Sequence, residues 1–394
     1  MRERHVVLGV TGSIAAYKAV DLASKLTQTG VAVHTVMTES ATKLVGPASF
    51  RAITGRPVST DMFELTSPHS IEHVSLAEVA DLLLIAPATA NVIAKLACGI
   101  ADDLLSCTAL ATRAPILVAP AMHSAMWENP ATQANVKTLK GRGVSFVGPA
   151  EGRLASGGVG VGRFAPVPEI LGEALRIVGR EGDLSGIRIV VSAGGTREAI
   201  DPVRFLGNRS SGRMGFAVAE AARDRGADVA LVSAPTSVSP PAGLTVVDVE
   251  TAAEMRNAVA AACRAADALI MAAAVADYAP SAPADRKLKK GAERLSIELE
   301  RTADVLASVD GPRVRVGFAA ETENLIENAR RKLVDKRLDL VVANRVGTEE
   351  SPFGSEVNRA ILIDAEREEE LPLLAKRELA DRILDRVRDL LASE

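Results

Sequence analysis

His5-Val6-Val7-Leu8-Gly9-Val10 runs directly into Thr11-Gly12-Ser13-Ile14-Ala15-Ala16-Tyr17-Lys18. Six residues of β-branched and apolar character read as a buried strand, the glycine and hydroxyls as a tight turn, and the alanines as the start of a helix. Strand, glycine turn and helix in that order open a parallel α/β unit. Basic residues before an apolar run also imitate a secretory leader, but Gly9, Thr11, Gly12 and Ser13 interrupt the run, so the stretch is expected to belong to the fold.

The same alternation continues outward. VAVHTVM (31–37), ADLLLIAPA (80–88), PILVAPAM (115–122) and VSFVGPA (144–150) read as strands, with helical patterns at 14–29, 40–54, 90–98, 130–141 and 168–179. The pattern stops at Glu181-Gly182-Asp183-Leu184-Ser185-Gly186 and restarts with IRIVVSAGG (187–195). Strands ADVALVSAP (227–235), LTVVDVE (244–250), ADALIMAAA (266–274), VRVGFAA (314–320) and LDLVVANRV (338–346) follow, with helices at 214–225, 252–264 and 322–335. ILIDA and LPLLA should form a hairpin around an acidic turn, Glu366 to Glu370. A last helix from about Lys376 carries Leu379, Ile383, Val387 and Leu391 on one face, its charged face being read as solvated surface. The expected fold class is α/β, with two doubly wound, Rossmann-like parallel-sheet domains at 1–184 and 185–394, the first flavodoxin-like.

A net charge of −4 with 3% aromatic residues argues against a nucleic-acid surface, and no apolar run is long enough to predict a membrane span. Cys98, Cys107 and Cys263 are too few and scattered for a disulfide framework or a four-ligand metal site, which suits a reducing cytoplasm. Cys98 and Cys263, in apolar helical surroundings, are expected as buried small hydrophobes.

Ligands in such folds sit beyond the carboxyl ends of the strands. The loops of ADLLLIAPATAN (80–91) and ADALIMAAAVAD (266–277), which echo each other, are therefore site candidates. Gly12, Ser13 and Ile14 could cradle a monophosphate on a helix N-terminus, Ser13 serving equally well as a plain N-cap. Neither GxGxxG nor a Walker pattern is present, which disfavours an NAD-type oxidoreductase. Thr38, Pro87, Thr89, Asn91 and Ser106 could surround a flat ring. His73 stands either as a structural histidine or as a general base. In the second half, the long loop at 192–215 exposes many amides, and Lys287, Lys289 and Lys290 tip a Pro/Ala-rich segment that is either solvated surface or a phosphate-facing flap. Lys332 and Lys336, four apart, could add to that field.

TGSIAAYKA, EHVSLAE, PATANVIAKLACGIADDLL and PAMHSAMW together resemble the flavin-containing cysteine decarboxylases, and within them the phosphopantothenoylcysteine decarboxylases. That resemblance implies FMN as cofactor and oxidation of the substrate's thiol-bearing carbon to a thioaldehyde, which drains electrons from the leaving carboxylate before the reduced flavin returns them. His73 falls on the family's catalytic histidine. His123 replaces an asparagine thought to bind the carboxylate, and could still donate a hydrogen bond or bind as a cation. Ser156 replaces a cysteine that protonates the enethiolate, and a hydroxyl is far too weak an acid to do so directly.

SAGGTREAIDPVRFLGNRSSGRMG, AVADY, KLKK, GFAAET and VVAN resemble the phosphopantothenate–cysteine ligases. This implies CTP and Mg²⁺, an acyl-cytidylate of 4′-phosphopantothenate and displacement of CMP by cysteine. Asn208 matches the residue associated with the acyl-cytidylate. Met271, Ala272, Ala273, Asp277, Lys287, Ala303, Asp304, Val305, Leu306, Phe318, Lys332 and Lys336 match the nucleotide positions, with Mg²⁺ riding on phosphates rather than in a protein cage. Relatives of this kind form trimers of the flavin half and dimers of the ligase half, closing into a dodecamer. The alternative, a regulatory flavin-binding subunit without decarboxylase activity, predicts loss of the catalytic histidine or an acidic tail.

Overall fold

β1 (His5–Val10) pairs in parallel with β2 (Ala32–Met37) on one side, and β3 (Val58–Ser59) adds beyond β2. On its other side lie β4 (Leu82–Ala88), β5 (Ile116–Pro120) and β6 (Ser145–Phe146), all parallel. The order β3-β2-β1-β4-β5-β6 reverses between β1 and β4, and without the two-residue β3 it is the flavodoxin order. The computed structural model describes residues 3–63, 72–154, 157–289, 295–346 and 355–393. The chain divides into two compact units, Met1–Val178 and Gly179–Glu394.

Strand side chains alternate between faces, and each face of this sheet meets its own helices. Val6, Leu8 and Val10 pack with α1 (Ala16–Gln28), and with Phe50 of α3 (Pro47–Thr54), which follows the short α2 (Glu39–Thr42). The expected single helix at 40–54 is thus two, broken before Pro47. Val7 turns to the other face, towards α4 (Glu72–Val79), α5 (Ala90–Cys98), α6 (Leu104–Ala111) and, after α7 (Ser124–Glu128), α8 (Pro130–Gly141). An antiparallel pair, β7 (Ala150–Arg153) and β8 (Val159–Arg163), precedes α9 (Val167–Gly179), which covers the first face. Each fully buried Val, Leu or Ile contributes about 1.5–3 kcal/mol, so both faces are needed to hold the sheet.

The second unit repeats the scheme around β9 (Arg188–Ala193). The expected loop at 192–215 contains a hairpin, β10 (Arg197–Ala199) and β11 (Phe205–Gly207), before α10 (Arg213–Asp224). Next come β12 (Asp228–Ser233), β13 (Thr245–Asp248), α11 (Ala252–Cys263) and β14 (Ala268–Met271). A second hairpin, β15 (Tyr278–Pro280) with β16 (Leu299–Arg301), leads to β17 (Val314–Glu321), α12 (Leu325–Asp335) and β18 (Leu340–Arg345). The remaining strands are β19 (Val357–Asn358), β20 (Ile361–Ile363), β21 (Glu368–Glu370) and β22 (Leu374–Ala375), before α13 (Lys376–Ala392). The sheet order is β13-β12-β9-β14-β17-β18-β20-β21, parallel as far as β18 and antiparallel beyond it. Ile189 and Val191 face α10 and α13, and Val190 faces α11 and α12.

Two expectations change here. The acidic run is itself the returning strand, since Glu368–Glu370 pairs with Ile361–Ile363, whereas Leu374–Ala375 pairs with Val357–Asn358. Glutamates tolerate that place because an edge strand keeps one side in water. The charged face of α13 is also engaged rather than merely solvated. Arg377 pairs with Asp224 at 2.6 Å, Arg388 with Asp183 at 2.9 Å, and Arg386 with Asp364.

Candidate active sites

In the first unit the loops after β1, β4 and β5 are stitched together by two hydroxyls. Thr11 Oγ donates to the Pro87 carbonyl at 2.7 Å and accepts from Thr89 N–H at 3.1 Å, while Ser13 Oγ donates to the Ala121 carbonyl at 3.0 Å. Ser13 is therefore a cross-loop tie, and the N-cap of α1 is Ala15, which offers no side-chain acceptor. Within the turn, Ser13 N–H donates to the Thr11 carbonyl at 2.7 Å, Ala16 N–H to the Ser13 carbonyl at 2.8 Å and Lys18 N–H to the Ala15 carbonyl at 2.9 Å, so the start of α1 is largely closed on itself at the strand ends. Gly12 is required beside it, because a Cβ there would stand 2.5 Å from Ser40 Cβ. Ile14 stays 65% exposed in front of this turn.

The other expected flavin residues divide. Thr89 caps α5 through Val92 N–H and Thr38 caps α2 through Ala41 N–H, while Asn91 is exposed on the first turn of α5. Ser106 is buried, and its hydroxyl is taken up in a capping box with Asp103. His73 lies on α4, with Nδ1 buried and without a hydrogen-bond partner. Such an atom in a native fold calls for an explanation, and a bound group is one. Ser124 Oγ is in the same condition, next to His123.

His123 is exposed and caps α7, its Nδ1 accepting from Ala125 N–H at 3.2 Å. A backbone N–H can only donate, so this contact assigns the ring proton to Nε2, which faces outward as a donor. The His123 loop is covered by β8, where a Cβ on Gly162 would meet the Met122 carbonyl at 2.4 Å. Ser156 falls between β7 and β8, outside the described residues. Cys98, expected as buried, is exposed at the end of α5, whereas Cys263 is buried as expected.

The second unit holds a cleft of about 630 Å³ at the carboxyl ends of β9, β14, β17 and β18. Its lining brings together Asn208, Met271, Ala272, Ala273, Asp277, Ala303, Asp304, Val305, Leu306, Phe318, Lys332 and Lys336, that is, every expected ligase residue except Lys287. Lys287 is exposed and outside the lining, and Lys290 is outside the described residues. Behind the lining residues Ala272 to Ala276, the segments after β9 and β14 are tied together. Ala274 N–H donates to the Gly194 carbonyl at 2.8 Å, Thr196 N–H to the Ala274 carbonyl at 3.2 Å, and Ala276 N–H to Thr196 Oγ at 2.9 Å. α10 begins at the cleft behind Gly212, whose φ of 78° suits a glycine and which offers no side-chain cap to the first amides of the helix.

Lys332 Nζ donates to the Phe318 carbonyl at 2.7 Å, and burial lowers its pKa, with Lys336 adding to the effect and Glu321 opposing it. Asp304 pairs with Lys336. Burial raises the Asp304 carboxyl, but the Lys336 ammonium and the amides of Ala307 and Leu306 outweigh it, so the net shift is downward. Asn208 Nδ2 donates to the Val275 carbonyl at 3.0 Å, which leaves its oxygen for a ligand.

Sequence reasoning did not single out Arg209, Arg213, Arg301, Asn344, Asn358 and Lys376, which also line the cleft. Arg209 and Arg213 stand in the quoted 192–215 motif and Asn344 in the quoted VVAN, and those were their only signals. Asn358, to which Asn344 Nδ2 donates at 3.0 Å, and Lys376, buried at the start of α13 with its pKa lowered by burial, are brought in by the fold alone.

Residues 1–178 match the Flavoprotein family, and residues 184–391 match the DNA/pantothenate metabolism flavoprotein C-terminal domain. The coenzyme A biosynthesis bifunctional protein CoaBC of Bacillus subtilis is 44% identical over 99% of this chain and 98% of its own. That of Mycolicibacterium smegmatis is 44% identical over 99% of each. A crystal structure of the C-terminal domain of a CoaBC protein, 40% identical, covers 54% of this chain and all of its own with a TM-score of 0.46. With near-complete coverage at this identity, the chain belongs to the coenzyme A biosynthesis bifunctional protein family.

Proposed function

We propose a division of labour for this bifunctional enzyme of coenzyme A biosynthesis. The second unit joins 4′-phosphopantothenate to cysteine using CTP, and the first decarboxylates the resulting 4′-phospho-N-pantothenoylcysteine to 4′-phosphopantetheine. The observation that carries the reading is the convergence of the expected nucleotide residues, Lys287 apart, on one cleft that Lys332 and Lys336 line.

In that cleft the substrate carboxylate attacks the α-phosphorus of CTP, pyrophosphate leaves, and the amine of cysteine then displaces CMP. Lys332 and Lys336 neutralise charge on the departing pyrophosphate, and Mg²⁺ rides on the phosphates with its waters. Asn208 offers its free oxygen to the acyl-cytidylate. Arg209, Arg213 and Lys376, together with the uncapped start of α10, form a further cationic region suited to the 4′-phosphate.

In the first unit, Gly12, Ser13 and Ile14 at the positive end of α1 fit the phosphate of FMN, and the small residues of 87–91 fit its ring. Bound there, FMN supplies two-electron redox chemistry at the thiol-bearing carbon. His73 takes the proton released as that carbon is oxidised, and His123 Nε2–H holds the substrate carboxylate. No helix among the described residues is long and apolar enough to cross a membrane, and we place the enzyme in the cytoplasm. Trimers of the first unit and dimers of the second belong to the same reading.

Product analysis tests it. Phosphopantothenate, cysteine, CTP and Mg²⁺ should give phosphopantothenoylcysteine without FMN and phosphopantetheine with it. A chain that forms neither from these substrates would sink the proposal.

A further inference from the structure

The turn between β10 and β11 is closed by its own bonds. Ile200 N–H donates to the Arg204 carbonyl at 2.9 Å, and Asp201 Oδ1 accepts from Val203 N–H and Arg204 N–H, each at 2.8 Å. Three further contacts leave this turn for the lysine-bearing segment. Ala284 N–H donates to the Ile200 carbonyl at 3.0 Å, Leu288 N–H donates to Asp201 Oδ2 at 3.1 Å, and Arg204 Nη2 donates to the Leu288 carbonyl at 2.8 Å. Arg204 Nε also donates to Asp201 Oδ2 at 2.9 Å, so one ion pair holds both main-chain groups of Leu288. Asp201 is only 3% exposed, and the Arg204 guanidinium holds its carboxyl well below the usual range.

Leu288 stands between Lys287 and Lys289. At the other end of the hairpin, β11 stops at Gly207 and the next residue, Asn208, lines the cleft. The hairpin therefore joins the cleft to a lysine that the cleft lining itself does not include. We propose that Asp201 and Arg204 are positioning residues, which clamp Leu288 and thereby fix Lys287 relative to Asn208 during acyl-cytidylate formation. The proposal rests on the CTP-dependent reading of the second unit.

Asp201→Asn retains an oxygen for the turn amides but puts an NH₂ where Leu288 N–H and Arg204 need an acceptor. In full-length, flavin-loaded protein, it should slow pyrophosphate release from CTP by about 10- to 100-fold, the scale of a small misplacement of a catalytic group. CO₂ release from added phosphopantothenoylcysteine should not change, and tryptic cleavage after Lys287 and Lys289 should quicken. Combined with Lys287→Gln, it should be no slower than Lys287→Gln alone, because a clamp acting through the lysine has nothing left to position. If Asp201→Asn fails to fold, Arg204→Lys, which keeps the charge but loses the fork, carries the same expectations.

Wild-type rates in these variants, or a double variant slowed by the product of its single effects, would overturn the clamp while leaving the nucleotide reading intact. A wild-type chain that releases no pyrophosphate from CTP and phosphopantothenate would overturn that reading and the clamp with it.

Discussion

Lys332 Nζ reaches 2.7 Å across from α12 to the carbonyl of Phe318 on β17, so the cleft's most buried expected ammonium is fixed by one neutral oxygen rather than by a carboxylate. Lacking a direct counter-ion, it keeps the downward shift that burial imposes.

The first prediction is an early alkaline limb. Since the folded pKa lies below the unfolded one, near 10.4, the cation is lost at lower pH than in an ordinary lysine. kcat/KM for CTP should fall as pH rises through that lowered value. Lys332→Arg stays charged and should move the limb upward; an unmoved limb would assign it to another group. Linkage gives stability the opposite sign. The unfolded chain binds more protons between the two pKa values, so this residue's contribution grows with pH across that window.

His73→Asn should cut CO₂ release by at least about 10²-fold, the usual weight of a general base, while acyl-cytidylate formation continues. Decarboxylation at the wild-type rate, measured on added phosphopantothenoylcysteine, would return the orphaned Nδ1 to a structural role.

His123→Asn should leave decarboxylation within several-fold, because asparagine both caps a helix and donates from its amide. His123→Ala removes cap and donor together. It should cost about 1 kcal/mol of stability and raise KM for the carboxylate substrate, as thermal melts and initial rates would show.

Gly215→Ala should destabilise the second unit. Its Cβ would lie 2.6 Å from Ala193 Cβ and 2.7 Å from the Ser192 carbonyl, both on β9. Backbone there gives way only at a cost of about 1–3 kcal/mol. At roughly 2–4 °C per kcal/mol, calorimetry would resolve the drop.

Thiol labelling should be ordered. Cys98 is exposed, Cys107 is raised by burial and then by Asp103 and Asp102, and Cys263 is buried with its pKa pushed up to about 11. One thiol per chain should react quickly at pH 8, and Cys98→Ser should remove that phase. A fast phase that survived would place the reactive thiol elsewhere.

Strand and helix order was legible because both sheets bury two faces, which writes continuous apolar runs such as Leu82 to Ala88 into the sequence. Hairpins were less so. Arg197–Ala199 and Phe205–Gly207 are three residues each and carry no periodicity, so the segment read as a loop. Glu368–Glu370 hid for another reason, since edge strands are allowed the charges that elsewhere mark turns. Cys98 misled because its apolar neighbours Ile93 and Ala97 do face the core, while a C-terminal helical residue one step on points away. In the cleft, Asn208, Asp277 and Lys332 fall in stretches that the sequence marks, Arg209 and Arg213 share such a stretch without standing out from it, and Lys376 has no such mark, because only tertiary folding carries the start of α13 to this lining.

Under the cleft, Gly194, Thr196 and Ala274 exchange amide and carbonyl groups while Ala276 N–H is held by the Thr196 hydroxyl, and this tie has a practical corollary. Ala274 and Ala276 contribute through peptide groups that any small residue would supply, whereas Thr196 holds Ala276 N–H through its hydroxyl and a Cβ on Gly194 would stand 2.3 Å from the Ala234 carbonyl, so those two positions are fixed. Attempts to retune the enzyme towards another triphosphate would gain little by redesigning that tie. On the nucleotide reading proposed above, changes at the sides, around Phe318 and Ala303 to Leu306, are where a different base would have to be accommodated.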